Sequence, residues 1–168
     1  MGQRLVVIES PFAGDVESNV RYARACMADA FKRGECPFAS HLLYPGTLDD
    51  DVPEQRKLGI EAGFAWAVLS DVRAVYYDRG ISTGMCHGII HSIDVANEMS
   101  GAHKLTFRSL QGKPEYDAAI DFKAGGESVV LRVAGTSFDL PAKGDRESWV
   151  KALELGLGMI FSGPGRYA

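Results

Sequence analysis

The sequence lacks several features that mark large classes of proteins, among them basic tracts and long apolar runs. Its net charge is −4, and its lysines and arginines are scattered rather than clustered. Duplex binding needs clustered cations that displace counterions from phosphates, so we expect no polymeric nucleic acid as a partner. No apolar run approaches the roughly 20 residues that a membrane-spanning helix requires, so we expect no membrane insertion.

Cysteine is also scarce, with only Cys26, Cys36 and Cys86, and no two of them form a CxxC pair. This pattern favours neither a zinc site nor a disulfide framework, and we expect no metal and no cofactor. Residues 1–8 contain one arginine and no cleavage pattern typical of a signal peptide. We therefore expect a cytoplasmic protein whose partner is a small molecule.

Apolar runs and helix-type periods alternate along residues 1–110. Strands are predicted at residues 5–8, 37–44, 72–77 and 104–109, and helices at residues 16–33, 53–69 and 84–98. This alternation predicts an α/β fold, with a Rossmann-like or flavodoxin-like parallel sheet flanked by helices.

The pattern changes after residue 110. Two β-branched or alternating runs, 128–133 and 137–140, predict a β-hairpin, and residues 148–161 predict a closing amphipathic helix. We therefore divide the chain into an α/β core, residues 1–110, and a C-terminal extension, residues 111–168, which could pack on the same core.

The most informative segment follows the third predicted strand, where glycines alternate with hydroxyl residues before a helix pattern begins. Glycines let the backbone approach a ligand, and a helix N-terminus offers free N–H groups to an anion. Gly80, Ser82, Thr83, Gly84 and Met85 therefore predict a nucleotide or sugar-phosphate site. The alternative is an ordinary turn in which the hydroxyls only cap the helix.

Three acidic residues are candidates for the chemistry of this site. Asp78 and Glu9 end predicted strands, and the carboxyl ends of strands form the ligand crevice of open α/β sheets. Asp78 is the first choice for contacting a ribose hydroxyl or acting on a base, although it could instead cap its own loop. Glu9 could also be exposed to solvent. Glu61, within a predicted helix of small residues, is the third candidate.

Two aromatic residues and a histidine lie near the predicted strand ends. Phe12 and Tyr44 could stack on a base or belong to the core. His41 could hydrogen-bond a ligand or be an interior histidine with its hydrogen bonds satisfied.

Three segments form a recognisable pattern: Ser10, Pro11 and Phe12 with Gly14 and Asp15, then Ser70 with Asp71, then residues 84–88. On these segments, residues 4–109 resemble the nucleoside 2-deoxyribosyltransferase-like group, which includes deoxynucleotide N-glycosidases. With residues 39–44 and 80–85 added, the pattern resembles an uncharacterised, phage-associated branch of that group. The resemblance implies that the strand-end residues 10–12, 14 and 15 belong to the ligand site.

Enzymes of that group carry a Gly-Met-Glu-x-Gly type of segment, whose Glu attacks the anomeric carbon of deoxyribose. A carboxylate suits this reaction because the transition state resembles an oxocarbenium ion. In this chain the Glu position falls on Cys86, and Asp78 lies near the place of the group's upstream acid. Cys86 could be a thiolate at the helix N-terminus or a small packing residue.

Two hypotheses about function follow. The first is an enzyme that acts on the N-glycosidic bond of a deoxynucleoside or its monophosphate, by hydrolysis or base exchange. The second is a non-catalytic module that binds a nucleotide, as a sensor or a sequestering protein. A homo-oligomer is expected, because related sites are often completed by a neighbouring subunit, and residues 111–168 could serve as the oligomerisation element.

Overall fold

The computed structural model describes residues 2–99, 103–142 and 145–161. The strands in these ranges are β1 (Leu5–Glu9), β2 (Cys36–Phe38), β3 (Val72–Tyr76), β4 (Lys104–Arg108), β5 (Tyr116–Asp117), β6 (Ala119–Phe122), β7 (Ser128–Val133) and β8 (Thr136–Pro141). The α-helices are α1 (Val16–Lys32), α2 (Ser40–Leu43), α3 (Pro53–Val68), α4 (Thr83–Glu98) and α5 (Arg146–Ile160). Within these ranges, no helix has the length and apolar content needed to cross a membrane.

The first sheet has the order β2-β1-β3-β4-β5. Strands β1 to β4 are parallel, and β5 pairs with β4 in the antiparallel sense. Central parallel strands are covered on both faces, which explains why β1 and β3 appear in the sequence as nearly continuous apolar runs. The predicted α/β fold, with a mostly parallel sheet flanked by helices, is confirmed.

The pleat of β3 sends alternate side chains into two different cores. Val72, Ala74 and Tyr76 pack on the face that α1 covers. Val75 packs on the opposite face, in the cluster that includes the apolar side of α4, and Arg73 has the same parity. Because side chains two residues apart share a face, parity decides which side of the sheet each strand-end residue reaches.

The prediction of a strand over residues 37–44 is wrong beyond Phe38. The chain leaves the sheet at Ala39, forms the short helix α2, and continues into a 3₁₀ turn at Tyr44–Gly46. A short apolar run gives the same signal for a strand and for a packed helical segment. The consequence is that Ser40 and His41 lie on a helix beyond the end of β2.

The C-terminal part forms a second sheet, with strands in the order β6-β7-β8, all antiparallel, followed by α5. The expected hairpin is β7–β8, turning at Ala134 (φ 50°) and Gly135 (φ 77°), and β6 adds a strand that the pattern did not predict. Leu131 and Leu153 share one hydrophobic cluster with Ile89 of α4. The extension therefore packs directly on α4.

The packing of α5 on β8 can be tested at Gly156, where an added Cβ would overlap the ring of Phe138. An alanine ordinarily stabilises a helix interior by about 1 kcal/mol relative to glycine. Here we expect Gly156→Ala to lower the free energy of unfolding by about 1–3 kcal/mol, because the ring must shift. Urea unfolding measures the change.

Gly59→Ala is the matched control, because its Cβ would meet Leu48 at an ordinary 3.4 Å. That variant should be neutral or slightly more stable than the wild type. Equal changes in the two variants would contradict the close contact between α5 and β8.

Candidate functional site

A cavity of about 600 Å³ opens at the carboxyl end of β1. Its walls come from the loop after β1, from α2 and the 3₁₀ turn that follows it, from α3, and from the first turn of α4. Ligands of open α/β sheets bind at this edge, and the volume lies within the range of small-molecule pockets.

The fold brings together predicted site residues from three separate segments. The predicted residues that line the cavity are Glu9, Ser10, Phe12, His41, Tyr44, Ser82, Thr83, Gly84 and Met85. The predicted residues that do not line it are Pro11, Gly14, Asp15, Glu61, Asp78, Gly80 and Cys86.

Several of the residues outside the cavity have a structural position instead. Asp15 is the N-cap of α1 and accepts a hydrogen bond from the Ser18 N–H at 3.1 Å. Glu61 is exposed on α3, 3.8 Å from the Lys57 ammonium group. Cys86 is fully buried in the core on the inner side of α4.

Asp78 is buried, but its carboxylate is turned away from the cavity. It accepts hydrogen bonds from the Tyr22 hydroxyl and the Leu110 N–H, at 2.8 and 2.7 Å, and from the Ser109 hydroxyl. Asp78 has the same parity as Tyr76, which faces α1, so the pleat directs it to the wrong face for the cavity. Its contacts tie the segment after β4 to α1.

Glu9 is the acid that the sheet does present to the cavity. Its carboxylate accepts a hydrogen bond from the Arg73 guanidinium, and the exposed fractions of the two side chains are 17% and 1%. Burial raises the pKa of Glu9, while the charge and hydrogen bond of Arg73 act in the opposite direction. An arginine does not lose its proton in a protein, so the carboxylate form of Glu9 is its natural partner.

A chain of hydrogen bonds through buried side chains fixes the Arg73 guanidinium on the side away from the cavity. Its Nε donates to Ser92 Oγ at 2.7 Å, Ser92 lies 2.9 Å from His103 Nε2, and His103 Nδ1 lies 2.9 Å from the Ser70 carbonyl. Because a carbonyl only accepts, His103 donates from Nδ1 and accepts from Ser92 at Nε2. Every donor in this buried chain is therefore satisfied.

His91 supports the same guanidinium from the side. Its Nδ1 lies 3.1 Å from Arg73 Nη2 and accepts a hydrogen bond there, while its ring stacks on Phe64 with centroids 4.2 Å apart. Burial, then the Arg73 charge, lower the pKa of His91 to about 4. His91 is therefore neutral near pH 7 and acts as an acceptor.

Ser10 and His41 form a second polar pair in the cavity wall. Ser10 Oγ and His41 Nε2 are 2.7 Å apart. Burial lowers the pKa of His41 to about 4, so its imidazole is neutral at physiological pH. The edge of Phe12 faces the same ring, with centroids 6.4 Å apart at 71°. The pair offers a neutral hydrogen-bonding group rather than a charge.

The first turn of α4 forms the opposite wall. Ser82 is the N-cap, and its hydroxyl oxygen accepts a hydrogen bond from the Met85 N–H at 3.3 Å. Thr83 begins the helix, and its hydroxyl donates to Glu154 at 2.7 Å. The predicted helix start is correct to within one residue, and the cap that the sequence left as an alternative is present.

Other lining residues were not predicted. Arg56 and Asp50 form an ion pair at 3.6 Å near the rim, and Phe64, Arg73 and His87 also contribute. Arg73 could have been identified from the sequence, because a charge inside an apolar strand needs a buried counter-ion. Within the described residues, no group of three or more His, Cys, Asp or Glu side chains is arranged to hold a metal ion.

These features define an α/β protein with a mostly parallel sheet and a cavity at the carboxyl edge of its parallel strands. A family model described as a domain of unknown function (DUF7768) matches residues 4–100, more than half of the chain, and the chain belongs to that family. Comparison with curated proteins and with solved structures gave no match. The resemblance to the nucleoside 2-deoxyribosyltransferase-like group stays a prediction.

The Glu9–Arg73 pair can be tested at Gly88 of α4. An added Cβ would overlap the Glu9 carboxylate and would lie 2.8 Å from Arg73 Nη1. We expect Gly88→Ala to lower the free energy of unfolding by about 1–3 kcal/mol, because the buried Arg73 and the half-buried Glu9 must move. Urea unfolding and circular dichroism measure the effect.

The control for that variant is Gly84→Ala, in the first turn of the same helix. Its nearest atom would be Ser82 Oγ at 3.9 Å, so the change should be neutral or stabilising by up to about 1 kcal/mol. If Gly88→Ala were as stable as Gly84→Ala, the close packing of the ion pair on α4 would be disproved.

The neutral state of His41 predicts a pH dependence of stability. In the folded protein its pKa falls from the ordinary 6.5 to about 4, so between these values the unfolded chain binds more protons. The free energy of unfolding should therefore decrease as pH is lowered through this window. Urea titrations from about pH 7 to about pH 4 measure the slope.

His41→Gln should show a weaker slope than the wild type, because it cannot take up the proton and its amide can still bond Ser10. His87→Gln is the control, since the His87 side chain is exposed, and it should keep the wild-type slope. A slope unchanged by His41→Gln would argue against a neutral His41 imidazole in the folded protein.

Proposed function

We propose that the chain binds a deoxynucleoside or deoxynucleoside monophosphate in this cavity and acts on its N-glycosidic bond, by hydrolysis or base exchange. The observation that carries the proposal is the Glu9 carboxylate, held against Arg73 on the sheet side of a cavity of about 600 Å³. A fixed negative charge in a partly desolvated cavity stabilises a positively charged transition state more strongly than the same charge in water.

Glu9 can also supply the carboxylate that is missing at position 86, where the resembled group has Glu and this chain has Cys. The resemblance implied a carboxylate on α4, but Cys86 is fully buried and does not line the cavity. Glu9 packs over Gly88 on that helix, two residues further along. In this proposal, the end of β1 supplies the carboxylate that related enzymes carry on the helix.

The remaining walls suit the other parts of a nucleoside. Phe12, Tyr44 and Phe64 provide aromatic surface for a base, and Ser10 with His41 provides neutral hydrogen-bonding groups. Aromatic side chains bind bases by stacking without reading their sequence. The Ser82 hydroxyl lies on the opposite wall, where it can reach the sugar.

The reaction balances without a cofactor. The bond between the anomeric carbon and the base nitrogen breaks, and its electron pair leaves with the base, which takes up a proton. Glu9 either attacks the anomeric carbon or stabilises the oxocarbenium-like charge. The oxygen of a water molecule, or the nitrogen of a second base, then forms the new bond to that carbon and loses a proton, which balances the proton taken up by the leaving base. Where Glu9 has attacked, its bond to the carbon breaks in this step and the carboxylate is restored.

The test is to incubate the protein with the natural deoxynucleosides and their monophosphates and to measure free base by chromatography. Glu9→Gln keeps the size of the side chain but removes its charge, and we expect it to reduce base release by about 100-fold or more. Glu61→Gln is the matched control, since that side chain is 58% exposed and outside the cavity, and it should keep the wild-type rate. Base release that survives Glu9→Gln would rule out this role for Glu9.

Binding without turnover is the second candidate function. Glycosidases commonly use two carboxylates, and the acids that line the cavity within the described ranges are Glu9 and Asp50. Asp50 is 43% exposed and faces Arg56, while Asp78 lies outside the cavity. A ligand at about 100 times its dissociation constant adds about 2.7 kcal/mol of stability, so a thermal shift with intact ligand would favour the binder.

A further inference from the structure

The first turn of α4 is joined to the C-terminal extension by one hydrogen bond. The Thr83 hydroxyl, which lines the cavity, donates to Glu154 Oε1 of α5 at 2.7 Å. Thr83, which the sequence predicted as part of a phosphate site, therefore already donates its hydroxyl hydrogen to a carboxylate. A phosphate would have to take this donor from Glu154 and would then lie close to a second negative charge.

The charge of this carboxylate opposes the anion-binding tendency of the helix. A helix N-terminus carries an effective charge of roughly +0.5, whereas an ionised Glu154 carries a full negative charge at the same turn. The repulsion between two like unit charges about 4 Å apart in water weakens binding by about fivefold. Glu154 thus makes the rim unfavourable for a phosphate.

The arginines that line the cavity do not offset the negative charge of Glu154, because each of them already faces a carboxylate. Arg73 is 1% exposed and is occupied by Glu9. Arg56 lies 3.6 Å from Asp50, so it too faces a carboxylate. Among the lining residues that the structure describes, these two arginines are matched by two acids. Glu154 does not itself line the cavity, but its carboxylate adds a negative charge 2.7 Å from the Thr83 hydroxyl, which does.

We propose that the cavity selects the uncharged deoxynucleoside over its 5′-monophosphate, and that Glu154 is the residue that sets this preference. The inference rests on the proposed function and narrows its substrate class. The 5′ hydroxyl of a nucleoside can share the Thr83–Glu154 pair by donating to the carboxylate, which a phosphate cannot do once it is ionised.

The experiment compares the affinities of deoxynucleosides and their 5′-monophosphates for three proteins: the wild type, Glu154→Gln and Glu147→Gln. All three keep the Glu9–Arg73 pair. Thermal shifts report the affinities, and chromatography after each scan measures any ligand that has lost its base. The side-chain amide that Glu154→Gln introduces can still accept the Thr83 hydrogen bond, so only the charge changes. Glu147 is exposed two turns earlier on α5 and gives the same change in net charge.

We expect the nucleoside to bind more tightly than the monophosphate. Glu154→Gln should improve monophosphate binding by about fivefold, with nucleoside affinity unchanged, and Glu147→Gln should change neither. Tighter binding of the monophosphate to the unmodified cavity, or equal effects of the two Gln variants, would overturn the inference and leave the proposed function standing. No binding of either ligand class would instead overturn the proposed function itself.

Discussion

The ion pair between Glu9 and Arg73 is the constraint on which the arrangement of the site depends. Arg73 lies inside a central strand with 1% of its side chain exposed, where an unpaired charge would cost several kcal/mol. Each of its three nitrogens has one partner, which is a serine, a carboxylate or a histidine. The glycine at position 88 leaves the space that this cluster fills on the side of α4. The charge at the cavity is thus fixed by buried groups rather than by surface side chains.

Most of the fold could be predicted from the sequence because its strongest local signals agree with its tertiary structure. Parallel strands buried on both faces give apolar runs, and the runs at β1, β3 and β4 lie where they were expected. The segment after β2 could not be predicted in this way. Its apolar residues pack in a short helix and a 3₁₀ turn, and only long-range packing decides between that arrangement and a longer strand.

The position of the cavity was more predictable than the chemistry of its walls. Strand ends and the capped start of α4 pointed to the edge of the sheet where the cavity opens, and residues from both line it. The choice between Asp78 and Glu9 depends on the parity of each strand-end residue relative to the covered faces. Asp78 faces α1, as Tyr76 does. Arg73 lies on the opposite face of the sheet, and its buried charge needs an acidic partner there. Reading parity together with the buried arginine would have favoured Glu9.

The C-terminal extension affects the charge near the cavity through its contact with α4. The match to the family ends at residue 100, whereas β7, β8 and α5 share a hydrophobic cluster with α4. This packing holds α5 beside the first turn of α4 and brings a carboxylate to the hydroxyl of Thr83. The sheet side of the cavity is therefore built by the part of the chain that defines the family, and the charge at its rim comes partly from outside that part. A substitution on α5 can change the electrostatics of the rim without disturbing the buried Glu9–Arg73 pair, because the two features share no side chain.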